Sequence, residues 1–450
     1  MKKKVNIIKK IAKFTRSQTL DNIPKKTKKI LRLLILDWLA VALAGQNESV
    51  SKIIKKLEKS NGGKKEAFVI GLIDRLPIKS ATLINAVTGH ALDYDDTHFG
   101  SLGHTSSIVI SAALAVSDKK KSNAKVFKEG VLVGIETAIR IGIWLGRKHY
   151  HQGFHITSTA GIFGSTVAAA HILGLSKKKT MNAIGIASSS SSGIKAQFGS
   201  MVKPLQVGFA ATRGVESAFM AEKGIKADTN IFDKLDGYGT TYSAEFKDCA
   251  FVNLGKKYFI NDVKFKFHAC CHGTHSVIES LIYLIDNYQL KDNLINRVEV
   301  FINPQYLKIC NIEKPKNGIE IKFSFKMIIA LLMNKFNTTR LDTFSDANCH
   351  NKKLLKTCNK VKIVADDKIL ETESEVMVIL KDGRTIRKKY DISDKLKFST
   401  LKKRLFFKSK SLLGKRISKK LWYDNFFDNS LPSNWLEKNL QCINHKNTCL

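Results

Sequence analysis

The chain has 450 residues, 44% hydrophobic and 25% charged, with 75 Lys+Arg against 39 Asp+Glu and a formal charge of +36. At roughly 150 residues per domain, that length allows two or three domains with ample core. The ordinary apolar fraction excludes wholesale disorder, collagen-like repeats and a small disulfide framework.

The charge invites a nucleic-acid reading. Yet only 12 of the cations are arginine, the side chain suited to forked phosphate and base recognition. Lysine runs such as Lys2-Lys3-Lys4, Lys119-Lys120-Lys121 and Lys177-Lys178-Lys179 are scattered and not interleaved with aromatics. They read as solvated faces, so nucleic acid is not an expected partner. In either case the positive field favours a small polyanionic substrate. The eight cysteines lack framework spacing, and no apolar segment with a small-residue cleavage site follows the lysine-rich start. The cytoplasm is the expected compartment.

In chain order, Asn22 and Pro24 predict a cap and first-turn proline. The helix they open has an apolar face of Ile30, Leu31, Leu33, Leu34, Leu39, Val41 and Leu43, and Gly45 ends it. Helical patterns follow near 49–60, 80–92, 106–117, 124–146, 158–174, 178–192 and 205–223. Ile156 to Leu175 has the length of a membrane span, but its Gly, Ser, Thr and Ala content predicts a buried core helix. No membrane partner is expected.

Strand patterning begins only after residue 290. Val298–Ile302 and Lys360–Ala365 alternate, and Glu375–Leu380 and Thr385–Tyr390 flank the hairpin signal Asp382-Gly383. Helical runs lie near 273–288 and 322–335. The last fifty residues are basic and amphipathic, with Trp422, Tyr423, Phe426 and Phe427 able to dock on a core. The fold expected is mainly α: a large all-helical domain from both chain ends (1–263 and 400–450) plus a smaller inserted α+β lid domain (264–399). Clefts between domains are where small ligands tend to bind.

Four clusters carry candidate chemistry. His90, Asp93, Asp95, Asp96, His98 and His104 fall within fifteen residues, costly to bury together unless they pair or work. The plainer reading is a polar loop whose aspartates cap the next helix. His149, His151 and His155 open the uncharged helix, where a helix N-terminus favours anions and disfavours an imidazolium. The loop Gly193 to Pro204 delivers Lys203, suited to a carboxylate or phosphate, but its spacing is not that of a P-loop. Finally, Lys264 to His275 is dense in Cys and His without the ligand spacing of structural zinc, and no metal is assigned.

Taken in order, these blocks resemble the MmgE/PrpD family of 2-methylcitrate dehydratases and cis-aconitate decarboxylases. The resemblance rests on Leu36-Asp37…Gly45, His90-Ala-Leu-Asp-Tyr-Asp-Asp-Thr97 with Gly103-His104, and Gly153-Phe-His155…Gly161. Gly199-Ser-Met-Val-Lys203-Pro-Leu205, Lys266…Cys270-Cys271-His272-Gly-Thr-His275 and Lys322-Phe-Ser324 complete it. It implies a helical domain with an α+β lid, a homodimer, and a metal-independent site between domains, with no cofactor. Carried over by position, the site would contain Asp93, Thr97, His104, His155, Lys203 and Lys266, with His275 in a Thr-His pair. Three positions depart from the family pattern: Gln206 stands where histidine is frequent and His272 where arginine is common. Met327 stands where the decarboxylase branch has tyrosine.

The function expected is a cofactor-independent lyase, a dehydratase or decarboxylase, on a small di- or tricarboxylate such as 2-methylcitrate or cis-aconitate. Lys203 and Lys266 would clamp carboxylates, and His104 and His155 would form the acid/base pair. Asp93 would orient a histidine, and Thr97 would hydrogen-bond the substrate. An epimerase using the same residues is the near alternative. An inactive basic scaffold that binds nucleic acid or an anionic membrane is the alternative of a different class.

Overall fold

The computed structural model describes residues 6–423 and 430–444, with side chains through 439. Lys2-Lys3-Lys4, Phe426 and Phe427 lie outside the described residues. The chain divides into two compact units, one of residues 1–265 with 413–450 and one of residues 266–412. The large unit is helical and draws on both chain ends; the smaller inserted unit mixes helices with an open sheet.

The large unit contains α1 (Ile7–Ser17), α2 (Lys25–Gly45), α3 (Ser49–Asn61), α4 (Ile78–His90) and α5 (Ser106–Lys120). They are followed by α6 (Ala124–His151), α7 (Ile156–Ile172), α8 (Lys177–Ser188) and α9 (Val202–Glu222). Helix α1, unexpected from the sequence, is capped by the Asn6 side chain and buries Ile7, Ile8, Ile11 and Phe14. Pro24 precedes α2 as expected, but Asn22 closes a short 3₁₀ turn and makes no cap.

Helix α7 is the centre of this unit and packs against α5, α6, α8 and α9. All its residues except His171 are buried, so the uncharged run is a core helix. Small residues make this possible: a Cβ on Gly164 would meet the Gly134 carbonyl of α6 at 2.7 Å. Among the described residues no single helix is long and apolar enough to cross a membrane. The C-terminal helix Pro432–Asn444 rests on α5, where Ser433 Oγ donates to Asp118 at 2.6 Å. Upstream, the helix Phe398–Tyr423 is broken at Gly414 (φ 76°), beside the division between units. Trp422 is buried; Tyr423 is exposed.

In the smaller unit β1 (Ile295–Ile302), β2 (Val361–Ala365), β3 (Glu373–Leu380) and β4 (Thr385–Asp391) form one sheet of order β2-β1-β3-β4. β1 and β2 are parallel with Val298 opposite Val361, while β1 and β3 are antiparallel with Val298 opposite Val378. The β3–β4 hairpin turns at Asp382-Gly383, where Gly383 takes φ 86°. The helix His275–Tyr288 packs on β3 and β4, covering the apolar face set by the alternation of Val376, Val378 and Leu380.

Candidate active site

Helix α4 ends at His90, and the chain turns back through Asp93, which takes φ 50° and donates its N–H to the His90 carbonyl at 2.9 Å. Aspartate tolerates this left-handed geometry better than most residues. The turn returns Asp95 to the ring of His90, whose Nδ1 lies 2.9 and 3.0 Å from its two oxygens. Ser107 Oγ donates a further 2.8 Å bond. Burial alone would raise the pKa of Asp95, but the charges and hydrogen bonds of His90 and His104 outweigh it and hold the carboxyl well below the usual range. Asp96 does different work. It accepts from Thr105 Oγ1 and the Ser106 N–H, capping α5, and burial beside Asp95 pushes it up to about 6.

His104 follows a tight loop closed between the His98 N–H and the Gly103 carbonyl (2.9 Å), and its own N–H donates to Thr157 Oγ1 at 3.1 Å. Its ring stands edge-on to His90, with Nδ1 3.2 Å from Asp95 and Nε2 3.4 Å from Asp93. In the first turn of α9, Lys203 places Nζ 2.8 Å from the same oxygen of Asp93. Asp93 is thus shared by an imidazole and an ammonium.

His155 stands at the N-terminus of α7, with its N–H donated to the Gly193 carbonyl at 3.0 Å. Its Nδ1 lies 2.6 Å from Gln206 Oε1, while Gln206 Nε2 donates to the Ile194 carbonyl at 3.0 Å. With the amide nitrogen committed to a carbonyl, its oxygen must face the ring, so the His155 proton sits on Nδ1 and Nε2 keeps its lone pair. Burial, then the charges of Lys203 and His90, hold its pKa well below the usual imidazole value. The ring of Phe198 stands edge-on to His155 at 5.0 Å and 5.4 Å from Lys203 Nζ, yet Phe198 is 40% exposed. Thr97 pairs through its backbone with Lys264, with both bonds at 2.8 Å.

Asp93, His104, His155 and Lys203 therefore come together within the large unit, with Thr97 on the loop between Asp93 and His104. Lys266 and His275 belong to the smaller unit. Lys266 is 2% exposed. His275 opens the helix His275–Tyr288, its ring 5.0 Å from His268 and 4.5 Å from His272. Burial first, then the neighbouring His272 and His268, hold its pKa well below the usual value. His268 bridges Thr338 Oγ1 (2.7 Å) and Glu279 (3.0 Å), and Arg404 meets the same carboxylate. Burial of Glu279 is outweighed by these partners, and its pKa falls to about 2.

Three neighbours of these residues were given no role by the sequence. Asp95 stood in the quoted cluster, but nothing there distinguished it from Asp93; the signal was its spacing five residues beyond a helix-terminal histidine. Gln206 registered only as a departure. Phe198 carried no signal at all. His90, Asp93, Asp95 and His104 also bring one donor atom each within 4.8 Å of one another, a spacing a cation could occupy. The Lys203 ammonium already lies against one of those donors.

The family model for the MmgE/PrpD N-terminal domain matches residues 9–248, and that for the C-terminal domain matches residues 268–417. The chain is 30% identical over 292 residues to "Cis-aconitate decarboxylase-like protein oryM" of Aspergillus oryzae, covering 60% of this chain and 59% of that protein. It is 26% identical over 394 residues to the cis-aconitate decarboxylase of Homo sapiens, covering 82% and 79%. With the enzyme of that name from Mus musculus it shares 30% over 269 residues, covering 58% and 54%. Both family models are met in order, and between them they take in most of the described chain: this protein belongs to the MmgE/PrpD family.

Proposed function

We propose that the chain is a cofactor-independent lyase acting on a small di- or tricarboxylate, working as a homodimer. The observation that carries this reading is the contrast between two imidazoles. His155 is kept neutral with its Nε2 lone pair available, the state a general base needs. His104 lies between the carboxylates of Asp93 and Asp95, surroundings suited to holding a proton for delivery. Removing a proton beside a carboxylate, or expelling CO₂ from an unsaturated acid, builds negative charge on an anionic substrate. Lys203, at the N-terminus of α9, is placed to meet that charge. Asp93 holds the Lys203 ammonium, and a substrate carboxylate would compete for it. Thr97 is assigned a hydrogen bond to substrate, Lys266 a substrate carboxylate, and His275 a place in substrate binding.

Between the two forms of the lyase, Met327 favours dehydration. It is 1% exposed and supplies no hydroxyl where the decarboxylase branch has tyrosine. The likeness to cis-aconitate decarboxylases favours decarboxylation. Absorbance of the conjugated double bond, followed with citrate, 2-methylcitrate and cis-aconitate in EDTA, tests the proposal. Gain of a double bond from a hydroxy acid supports dehydration, and consumption of cis-aconitate with CO₂ release supports decarboxylation. No turnover of any di- or tricarboxylate contradicts the proposal.

A further inference from the structure

One aromatic side chain beside the acid/base pair is left open to solvent. The Phe198 ring stands nearly perpendicular to that of His155, with centroids 5.0 Å apart, and Lys203 Nζ lies 5.4 Å from its centroid. The residue is nevertheless 40% exposed. Apolar surface kept in water gains free energy when a ligand covers it.

The backbone on both sides sets the position of this ring. Upstream, the His155 N–H donates to the Gly193 carbonyl at 3.0 Å and the Lys195 N–H to the Gly153 carbonyl at 2.8 Å. These bonds fasten the loop to the residues that carry the base. The Phe198 N–H then donates to the Lys195 carbonyl at 2.8 Å, closing the 3₁₀ turn Lys195–Gln197. Downstream, Gly199 takes φ 86°, and a Cβ there would meet nothing within 4 Å, so this glycine answers to backbone geometry and not to space. Ser200 Oγ donates to the Gln197 carbonyl at 2.9 Å and accepts from the Val202 N–H at 3.2 Å. The chain thus enters α9 one residue before Lys203, and Phe198 is held by the segment that joins the base to the cation.

The proposed reaction puts a substrate carboxylate at Lys203 and the adjoining carbon at His155. A substrate that meets both groups lies alongside Phe198. Lys203 offers charge and Gln206 offers an amide, whereas the phenyl ring offers only hydrocarbon. It rewards an alkyl substituent and gives nothing to a further hydroxyl or carboxylate.

We infer that Phe198 is a specificity-determining residue, selecting di- or tricarboxylates with a small alkyl group on the carbon at which His155 works. This inference rests on the lyase reading above. An apolar contact of one methyl group discriminates by about 10-fold or more in kcat/KM, and a wall open on one side belongs at the low end.

The test is a ratio of kcat/KM values for the full chain with EDTA present: 2-methylcitrate over citrate, and 2-methyl-cis-aconitate over cis-aconitate. Wild type should favour the methylated member of the pair it turns over by about 10-fold. Phe198→Asn should bring that ratio to about 1, chiefly by loss on the methylated acid. Phe198→Leu, still apolar, should keep most of it and guards against an effect of folding. An equal loss on both members, which a purely structural role would give, would overturn the inference and leave the lyase reading intact. A wild type that turns over a pair without favouring its methylated member would do the same. No wild-type turnover of either pair counts against the lyase reading itself, and the inference falls with it.

Discussion

Gln206 accepts a 2.6 Å hydrogen bond from His155 Nδ1 while its own amide nitrogen is committed to the Ile194 carbonyl. The second bond fixes the first: rotating the amide would lose Ile194 and set an N–H against a ring N–H. Gln206→Leu should therefore release the tautomer of His155. Steady-state kinetics should give a kcat about 10-fold or more lower, while Gln206→Glu, which still accepts from Nδ1, should retain more activity. Equal activity in wild type and Gln206→Leu would remove this orienting role.

Asp95 contacts both His90 and His104 from a fully buried position. Asp95→Asn keeps the size but removes the charge that both rings face. Turnover should fall by about 10²-fold or more, while circular dichroism stays native. An active Asp95→Asn would place the working carboxylate elsewhere.

Lys203 pairs with Asp93, and its charge acts on His155. Hydrogen bonds to charged groups contribute about 1.5–3 kcal/mol, so Lys203→Met should lower kcat/KM by about 10- to 100-fold or somewhat more. Lys203→Arg should recover part of it, because charge is restored with different geometry. Unchanged kinetics in Lys203→Met would exclude it from substrate binding.

The donor group His90, Asp93, Asp95 and His104 makes a direct test of metal dependence possible. The proposed chemistry predicts that exhaustive EDTA dialysis leaves activity intact and that added Mg²⁺, Mn²⁺ or Zn²⁺ does not raise it. Loss on dialysis with recovery on adding one of these ions would make the four residues a metal centre.

Two structural histidines set an acid-stability prediction. Burial holds His98 and His149 at about 4, against 6.5 for the free side chain. Between those values the unfolded chain binds protons that the folded chain refuses. Stability from this source is complete above about pH 6.5 and declines toward pH 4, by up to about 3 kcal/mol per group. Asp96, raised to about 6 by burial, has the opposite sign: its contribution is present below 3.8 and lost as pH rises through 6. In urea titrations His149→Asn should lose less stability than wild type between pH 7 and pH 5. An identical loss would exclude His149 as a source.

The helical register was legible because core-facing residues recur with the helix period, as in α2, and because Gly and Pro punctuate the boundaries. Asp382-Gly383 marked its hairpin for the same reason: Gly383 must take a positive φ. Helix α1 was not legible, since its lysines obscure an apolar face that is clear only once Ile7, Ile8, Ile11 and Phe14 are seen buried. At the site, residue types were readable but their pairing was not. Asp93 and Asp95 look alike in sequence; the left-handed turn at Asp93 sends one to Lys203 and the other under His90. Gln206 and Phe198 act through contacts across the fold, which no local pattern encodes.

The central claim is that His155 and His104 move protons on a small polycarboxylate. It is tested most directly by proton NMR in D₂O, with EDTA present, comparing wild type, His104→Ala and His155→Ala on cis-aconitate, 2-methylcitrate and citrate. Wild type should convert a member of this set, with a new vinyl signal or solvent deuterium at the reacting carbon. Both variants should be slower by about 10²-fold or more. Near-native turnover in either variant, deuterium exchange with no net elimination, or unchanged wild-type spectra with every substrate would contradict the account.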